Sequence, residues 1–463
     1  MSNQRRYNLT EGPIFKRLVT LSLPIMATSL MQSAHNLTNM FWLGYLGEEY
    51  VAAAGLAGQF VWLSFALIFM CRIGVEIGVS QNMGRGDPNS AKAYAQNGFL
   101  LAVAAGLLYG TFIVIFRREL LTFFVIDSEY VAETAAQYMA IIAFSVPFTF
   151  GHFVITGVYN GFGNTKIPFY INSGALLLNI ILSPILIFGF GFGIMGAGIS
   201  MVTAAIANLC VKIWAMTKYK NRPFEQYTVF IKIAWDKIKQ ILKWGVPVGT
   251  ESLVFNSLFM MVTRLVTSLG GHYAVAAQSV GLQVESLSFM IGGGFASALT
   301  AFIGQNYGAK KWGRLRSTYK VAYTFMASYG IFITAVLFFL AEPLVSIFLS
   351  DPFSIEVGTN YLRIIALAQL LFCMEGVATG SFRGRGLTFK PTIVSVSCNV
   401  FRVILCYALA ATALGLTGVW WGVAIAMTVR SIWLLTWHKI NIRKMPRLDE
   451  VAEEVAEPQP ATE

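Results

Sequence analysis

Long apolar stretches separated by short polar segments fill almost the entire chain of 463 residues. A helix needs about 20 apolar residues to cross a bilayer, and each stretch is long enough to do so. We therefore predict an all-α integral membrane protein with twelve transmembrane helices. The twelve runs are 15–43, 51–80, 95–116, 131–158, 167–190, 196–217, 240–268, 274–304, 318–341, 356–381, 391–413 and 418–438.

The composition supports the membrane assignment and limits the partners. Hydrophobic residues make up 56% of the chain and charged residues only 12%, whereas soluble domains carry about a quarter. The formal net charge of +11 raises the question of a nucleic-acid partner. The basic residues are dispersed over many short loops and form no single patch, so we expect contact with the lipid bilayer and none with nucleic acid.

The distribution of basic residues between loops predicts the orientation. Lysine and arginine concentrate in the N-terminal tail, after every second apolar run and at the C-terminal end. The longest basic connection extends from Lys212 to Lys243. Such loops stay in the cytoplasm, so we predict a multi-pass protein of the plasma (cell inner) membrane with both termini cytoplasmic.

The two halves of the sequence are related at an offset of 223 residues. Pro24 in the first run matches Pro247 in the seventh, and segments 160–168 and 383–391 share the pattern G-x-G-x-T-x-x-P. Because six runs separate the copies, both copies enter the membrane in the same direction. This predicts two pseudo-symmetric six-helix lobes built as parallel repeats, with a cavity between them, as in alternating-access carriers.

The repeat and the polar interruptions define four segments. The predicted N-lobe ends with the sixth helix, and the long polar interruption reads as a cytoplasmic linker. Within it, Phe230 to Ile241 has the apolar spacing of a short amphipathic helix. The segments are 1–217 (N-lobe), 218–239 (linker with the amphipathic helix), 240–445 (C-lobe) and 446–463 (a disordered acidic tail).

Four acids and four arginines inside the apolar runs are candidates for function, because charge is costly there. Arg72 and Glu76 are four residues apart on one helix, which favours a structural ion pair. Glu251 lies one turn after Pro247, where a bent helix exposes a backbone carbonyl. The eight are Glu76, Glu251, Glu285, Glu375, Arg72, Arg264, Arg402 and Arg430.

The repeat offset relates some of these residues to each other. It maps Glu375 onto His152, and two titratable groups at equivalent positions could form a proton relay in each lobe. The alternative for His152 is a neutral histidine that donates one packing hydrogen bond. The offset also maps Arg402 onto Asn179, and we expect a salt bridge between Arg402 and Glu375.

Several motifs resemble the multidrug and toxic compound extrusion (MATE) family. They are the helix-1 proline, NLTNMFWLGYLG at 36–47, LLLNIILSPILIFG at 176–189 and the two glycine-rich elements at 160–168 and 383–391. The resemblance covers nearly the whole chain. It implies a secondary antiporter that expels hydrophobic, cationic organic compounds in exchange for H⁺ or Na⁺.

The sequence departs from the family pattern at two N-lobe positions. Family members commonly carry aspartates where this chain has Asn39 and Ser183, although Asn179 is retained. These neutral side chains, with His152, can line a polar cavity or bind substrate, but an amide or a hydroxyl cannot titrate near neutral pH. By the resemblance, we place ion coupling in the C-lobe. The candidates, in order, are Glu251, Glu375 and Glu285.

The substrate surface is expected to use side chains that adapt to varied hydrophobic ligands. Met31, Phe259 and Met260 are the candidates, because thioethers and aromatic faces suit hydrophobic cations. The alternative for each is a packing or lipid-facing role.

No catalytic triad, phosphate loop or metal-ligand cluster occurs in the sequence, so we predict a monomeric transporter of small organic compounds and not an enzyme. No cofactor is expected beyond the coupling ion. Two other functions stay open. One is a lipid-linked oligosaccharide flippase of the same superfamily, and the other is a membrane receptor or scaffold without transport.

Overall fold

The computed structural model describes residues 7–123, 128–228 and 233–446, which fold almost entirely into helices. Within these residues, twelve helices are long and apolar enough to cross a membrane, which confirms the predicted all-α class. The helices are α1 (Ile14–Gly44), α2 (Glu48–Arg85), α3 (Pro88–Leu121), α4 (Glu129–Phe162), α5 (Lys166–Pro184), α6 (Gly193–Thr217), α7 (Trp235–Gly271), α8 (Tyr273–Gly308), α9 (Trp312–Phe339), α10 (Pro352–Gly384), α11 (Phe389–Ala410) and α12 (Gly415–Arg443).

Glycine and proline explain where several helices end or bend. Gly271 separates α7 from α8 because its φ of +59° lies in the left-handed region, which other residues rarely adopt. Pro184 ends α5, which continues as a single π-helical turn, Ile185–Gly189. Pro24 and Pro247 lie inside α1 and α7, at the positions the repeat predicts.

The chain forms two compact units that are not continuous in sequence. Most of the first unit lies between Thr20 in α1 and Leu253 in α7, so Pro247 and Glu251 belong to it. The second contains the remainder of α7 and all later helices. The first consists of Met1–Asn8, Thr20–Met83 and Asp87–Leu253, and the second of Leu9–Val19, Gly84–Gly86 and Val254–Glu463.

The beginning of α7 joins the first unit through close backbone contact with α2. A Cβ atom at Gly245 would overlap the carbonyl group of Met70, and one at Gly74 would lie 2.5 Å from the carbonyl oxygen of Ile241. Only glycine permits this approach. The surrounding core is apolar and buried, and it includes Val75, Phe99, Phe150, Val154, Ile155, Leu209 and Ile241.

The second unit has its own core around Trp420 of α12. The Trp420 ring packs edge-on against Tyr361 of α10, with 4.9 Å between the ring centroids. Both rings are almost completely buried, so each contributes a large apolar area to the core. Further members of this core are Val266, Leu337, Leu362, Ile365 and Val419.

Non-helical segments before α1 and α7 hydrogen-bond to polar side chains of other helices. In the second unit, the Leu9 amide donates to Gln305 Oε1 at 2.9 Å, and Asn306 donates to the Leu9 carbonyl at 3.2 Å. In the first unit, the Ala234 amide donates to Asn97 Oδ1 at 2.8 Å. Gln305 and Asn306 of α8 therefore anchor the segment before α1.

The predicted linker and tail are described only in part. Helix α6 ends at Thr217, and the chain is already in α7 at Trp235. The beginning of the predicted amphipathic helix, 230–232, lies outside the described residues, and its remainder from Trp235 is the first part of α7. The predicted acidic tail lies outside the described residues from 447 onwards.

Candidate functional site: buried polar clusters of the two units

One of the two positions where family members commonly carry an aspartate, Ser183, lies in a neutral cluster in the first unit. Asn179 Nδ2 donates to Ser200 Oγ at 2.8 Å, and Ser183 Oγ lies 2.8 Å from the same oxygen. All three side chains are fully buried. Hydroxyls and amides can bind a polar ligand here, but they hold no charge to titrate.

The predicted binding residues Asn39 and Asn179 each have an amide oxygen with unused hydrogen-bonding capacity. Asn39 Oδ1 and Asn179 Oδ1 are buried, and neither has a hydrogen-bond donor among the described residues. An unsatisfied buried acceptor carries a desolvation cost of roughly 1–3 kcal/mol. The predicted role of Asn39 and Asn179 in binding is consistent with these open acceptors.

Lys212 is the principal residue that the sequence interpretation misplaced. The expectation that it belongs to the cytoplasmic connection is wrong. Lys212 lies inside α6, and its exposed fraction is 0%. Its Nζ lies 2.8 Å from Asn172 Oδ1, 2.9 Å from Thr156 Oγ1 and 3.2 Å from the His152 carbonyl oxygen. A lysine ammonium has three hydrogens to donate, so these three oxygens satisfy it.

His152 meets this lysine directly. Its Nδ1 lies 3.5 Å from Lys212 Nζ, and its ring stacks on Phe153 with 4.6 Å between centroids. The position of His152 is therefore a buried contact between α4 and α6.

The predicted pair Arg72 and Glu76 lies at the edge of ion-pair distance. Arg72 Nε is 3.9 Å from Glu76 Oε2, and the carboxylate is fully buried. Both side chains lie on α2, one turn apart, in the geometry that the spacing suggested. Both are therefore placed for a structural contact inside the first unit.

Glu285 lies at the centre of a fully buried network in the second unit. Tyr361 donates to Oε2 at 2.8 Å, and Gln369 donates to Oε1 at 3.0 Å. Ser288 donates in turn to Gln369 Oε1 at 3.1 Å. These bonds connect α8 to α10 and satisfy both carboxylate oxygens.

Glu375 is paired with a different base from the one we expected. Arg430 Nε on α12 lies 3.1 Å from Glu375 Oε2, and Ser431 donates to the same oxygen at 2.8 Å. The expectation of a salt bridge to Arg402 is wrong. The sequence could not show which face of α11 or α12 turns toward α10, and that rotation decides which arginine reaches the carboxylate.

The remaining predicted site residues are dispersed. Glu251 is partly exposed on α7 in the first unit, whereas Glu285 and Glu375 belong to the second. Met31 accepts a hydrogen bond from Ser173 at 3.3 Å between Oγ and Sδ. Phe259 stacks on Phe255, at 6.3 Å between centroids, and Met260 is exposed.

A second buried histidine was also missed by the sequence interpretation. His438 on α12 has its Nδ1 2.7 Å from Tyr323 Oη and its Nε2 2.7 Å from Ser381 Oγ. Both ring nitrogens are therefore engaged, and the ring is fully buried. Its position at the end of the last apolar run could have suggested burial, because helices extend several residues beyond such runs.

Comparison with known proteins matches both halves of the chain to one family model. The MatE family model matches residues 24–185 and 247–408. The "Probable multidrug resistance protein NorM" of Thermotoga maritima is 26% identical over 459 residues, covering 95% of this chain and 96% of its own. These matches span nearly the full length of both proteins.

Solved structures share the fold. A crystal structure of MATE in the bent conformation has a TM-score of 0.90 at 22% identity and covers 96% of this chain and 98% of its own. A MOP superfamily transporter from Pyrococcus furiosus, described as having a binding pocket of reverse polarity that suggests a different function, has a TM-score of 0.87 at 21% identity, covering 95% and 98%. With the family model matched in both repeats, this chain belongs to the MatE family.

Proposed function

We propose that the protein is a multi-pass, secondary active efflux antiporter of the cell inner membrane that exchanges hydrophobic organic compounds for H⁺ or Na⁺. The observation that carries the proposal is the match of the family model to both sequence repeats. Parallel repeats are typical of carriers that alternate access by moving one lobe against the other. Small organic substrates and the bilayer are then the partners, and the coupling ion takes the place of a cofactor.

Glu251 is the first candidate for ion coupling. It is partly exposed and follows Pro247 on α7, so the protein encloses it less than it encloses the buried acids Glu285 and Glu375. Glu375, the second candidate, is held by Arg430 and Ser431, and Glu285, the third, is enclosed by Tyr361 and Gln369. Accessibility therefore supports the order Glu251, Glu375, Glu285.

The experiment is ethidium efflux from proteoliposomes under separate proton and sodium gradients. We expect one gradient to drive efflux, and Glu251→Gln to reduce that efflux at least tenfold, because the amide cannot release a proton or offer charge to Na⁺. Glu342→Gln removes an exposed acid elsewhere and serves as the matched control. Unchanged efflux by the Glu251 variant would reject the coupling assignment.

A lipid-linked oligosaccharide flippase is the second candidate. It is favoured by the neutral side chains of Asn39 and Ser183, which stand where family members commonly carry acids. The same proteoliposomes can carry a fluorescent lipid-linked oligosaccharide. Its transfer between leaflets without either gradient, together with no ethidium efflux, would replace the antiporter proposal.

A further inference from the structure

Arg402 on α11 is a buried cation without an acceptor. Its exposed fraction is 7%, and its Nε and Nη2 atoms have no hydrogen-bond partner among the described residues. The guanidinium lies over the ring of Phe255, 5.0 Å from the ring centroid. The aromatic face stabilises the cation, but it leaves the in-plane N–H groups unsatisfied.

Neither buried acid of the same unit, Glu285 or Glu375, forms a salt bridge with Arg402. Glu285 accepts hydrogen bonds from Tyr361 and Gln369, and Glu375 is paired with Arg430. A charge removed from water without a partner costs several kcal/mol. The buried guanidinium of Arg402 therefore lowers the stability of the fold unless a ligand supplies the missing acceptor.

The two unpaired nitrogens define the shape of that acceptor. Nε and Nη2 share one edge of the guanidinium plane, and their hydrogens point in parallel. A carboxylate fits this edge with two parallel hydrogen bonds, which is the geometry that makes arginine–carboxylate pairs strong and directional. A cationic or merely apolar ligand would leave both donors unsatisfied.

The repeat places a second unsatisfied group at the equivalent position. Arg402 corresponds to Asn179 at the offset of 223 residues, and Asn179 Oδ1 is also buried without a donor. Both units thus keep an unused polar atom at this position, on α5 and on α11. Retention of an unsatisfied polar group at the same place in both copies is more consistent with ligand binding than with packing.

We propose that Arg402 binds a carboxylate of the transported compound, with the stacked rings of Phe255 and Phe259 contacting its apolar body. This inference rests on the proposed function, and it changes the expected substrate class from hydrophobic cations to compounds that combine an aromatic body with a carboxylate. A zwitterion satisfies this description.

The experiment compares norfloxacin, which has a carboxylate, with norfloxacin ethyl ester, which does not. Binding to purified protein in nanodiscs of zwitterionic lipid is measured for the unmodified chain, Arg402→Met and Arg402→Lys. Charged hydrogen bonds contribute about 1.5–3 kcal/mol, so the acid should bind at least tenfold more tightly than the ester to the unmodified chain. Arg402→Met should reduce this ratio to about one, and Arg402→Lys should give an intermediate ratio.

The controls separate recognition from structure. Arg363→Met removes an exposed arginine of α10 and should keep the full ratio. Ethidium, a cation without a carboxylate, should bind Arg402→Met as well as it binds the unmodified chain. Loss of ethidium binding together with norfloxacin binding would show that Arg402 supports the fold and would overturn the inference.

Two further outcomes would overturn it. Equal binding of acid and ester by the unmodified chain would show that no carboxylate site exists, and intact ethidium efflux in that case would leave the proposed antiport standing. An acid-to-ester ratio abolished by anionic phospholipid in the nanodisc would assign Arg402 to a lipid headgroup. Absence of binding and efflux for every compound would reject both the site and the proposed function.

Discussion

In each unit, a titratable side chain contacts a basic side chain on the last helix of its half, but the charges of the two contacts differ. Position 152 of α4 and position 375 of α10 are equivalent in the repeat. His152 meets Lys212 from α6, the last helix of its half, and Glu375 meets Arg430 from α12, the last helix of the other. The first contact is 3.5 Å between nitrogens, and the second is 3.1 Å between nitrogen and carboxylate oxygen.

The difference concerns what happens when one partner is lost. In the second unit, the two charges compensate each other, so removing either leaves the other buried and unpaired. In the first unit, Lys212 is surrounded by neutral oxygens of Asn172, Thr156 and His152. Removing the lysine leaves only neutral groups, which other donors can satisfy. The repeat places both contacts between equivalent helices, but Lys212 and Arg430 are not at equivalent positions, and the energetics of the two contacts differ.

The largest expected effect comes from breaking the charged pair. Arg430→Met should lower the free energy of unfolding by about 3–5 kcal/mol, because Glu375 stays buried without its counter-ion. The measurement is SDS titration of the purified protein, followed by loss of helix in circular dichroism.

The double variant Arg430→Met with Glu375→Leu tests the cause. If the uncompensated charge is responsible, removing both partners should recover most of the lost stability. A double variant as unstable as the single one would mean that packing around Arg430, including its position over Phe372, matters more than the charge.

Lys212→Met should have a smaller effect, about 2 kcal/mol, measured by the same titration. The loss is that of the hydrogen bonds made by Lys212 Nζ, and no charge is left behind. Asn172 Oδ1 still accepts from Asn208 Nδ2 at 3.1 Å, and the Thr156 hydroxyl still bonds to the His152 carbonyl at 2.9 Å. A loss equal to that of Arg430→Met would contradict the distinction between the units.

The outline of the fold could be predicted from the sequence, but these side-chain pairs could not. Hydrophobic run length gives the number of helices, and the glycine and proline motifs give the repeat. Lys212 was misplaced because its acceptors lie 40 to 60 residues earlier, on other helices. No local pattern distinguishes a lysine in a cytoplasmic loop from one that meets three oxygens inside a bundle.

The pairing of Glu375 shows the same limit for charged residues. Arg402 and Arg430 are both arginines inside apolar runs, and the surrounding sequence does not show which of them pairs with Glu375. Rotation of each helix about its axis decides that Arg430 reaches the carboxylate while Arg402 lies over Phe255. Such rotations depend on packing between helices, which a single sequence does not specify.

The smallest expected effect lies at the start of α3, where the two halves also differ. Asp87 caps α3 by accepting a hydrogen bond from the Ser90 amide at 2.9 Å, whereas Lys311, at the start of α9, makes no side-chain cap. The Ser90 amide lowers the pKa of the Asp87 carboxyl below its ordinary value of 3.8. Asp87→Ala should therefore reduce stability by about 1 kcal/mol at neutral pH.

The pH dependence of this cap follows from the direction of the shift. A carboxyl whose pKa is lowered on folding stabilises the protein at pH values above 3.8, and that contribution is lost as the pH falls through its lower folded value. The difference in stability between the unmodified chain and Asp87→Ala should therefore become smaller at acidic pH, as measured by thermal unfolding. Asp87→Asn keeps an acceptor for the Ser90 amide without the charge, so its stability at pH 7 should stay within a few tenths of a kcal/mol of the unmodified chain. If Asp87→Asn is instead as unstable as Asp87→Ala at pH 7, the carboxylate acts through its charge at the helix N-terminus and not through the hydrogen bond to Ser90.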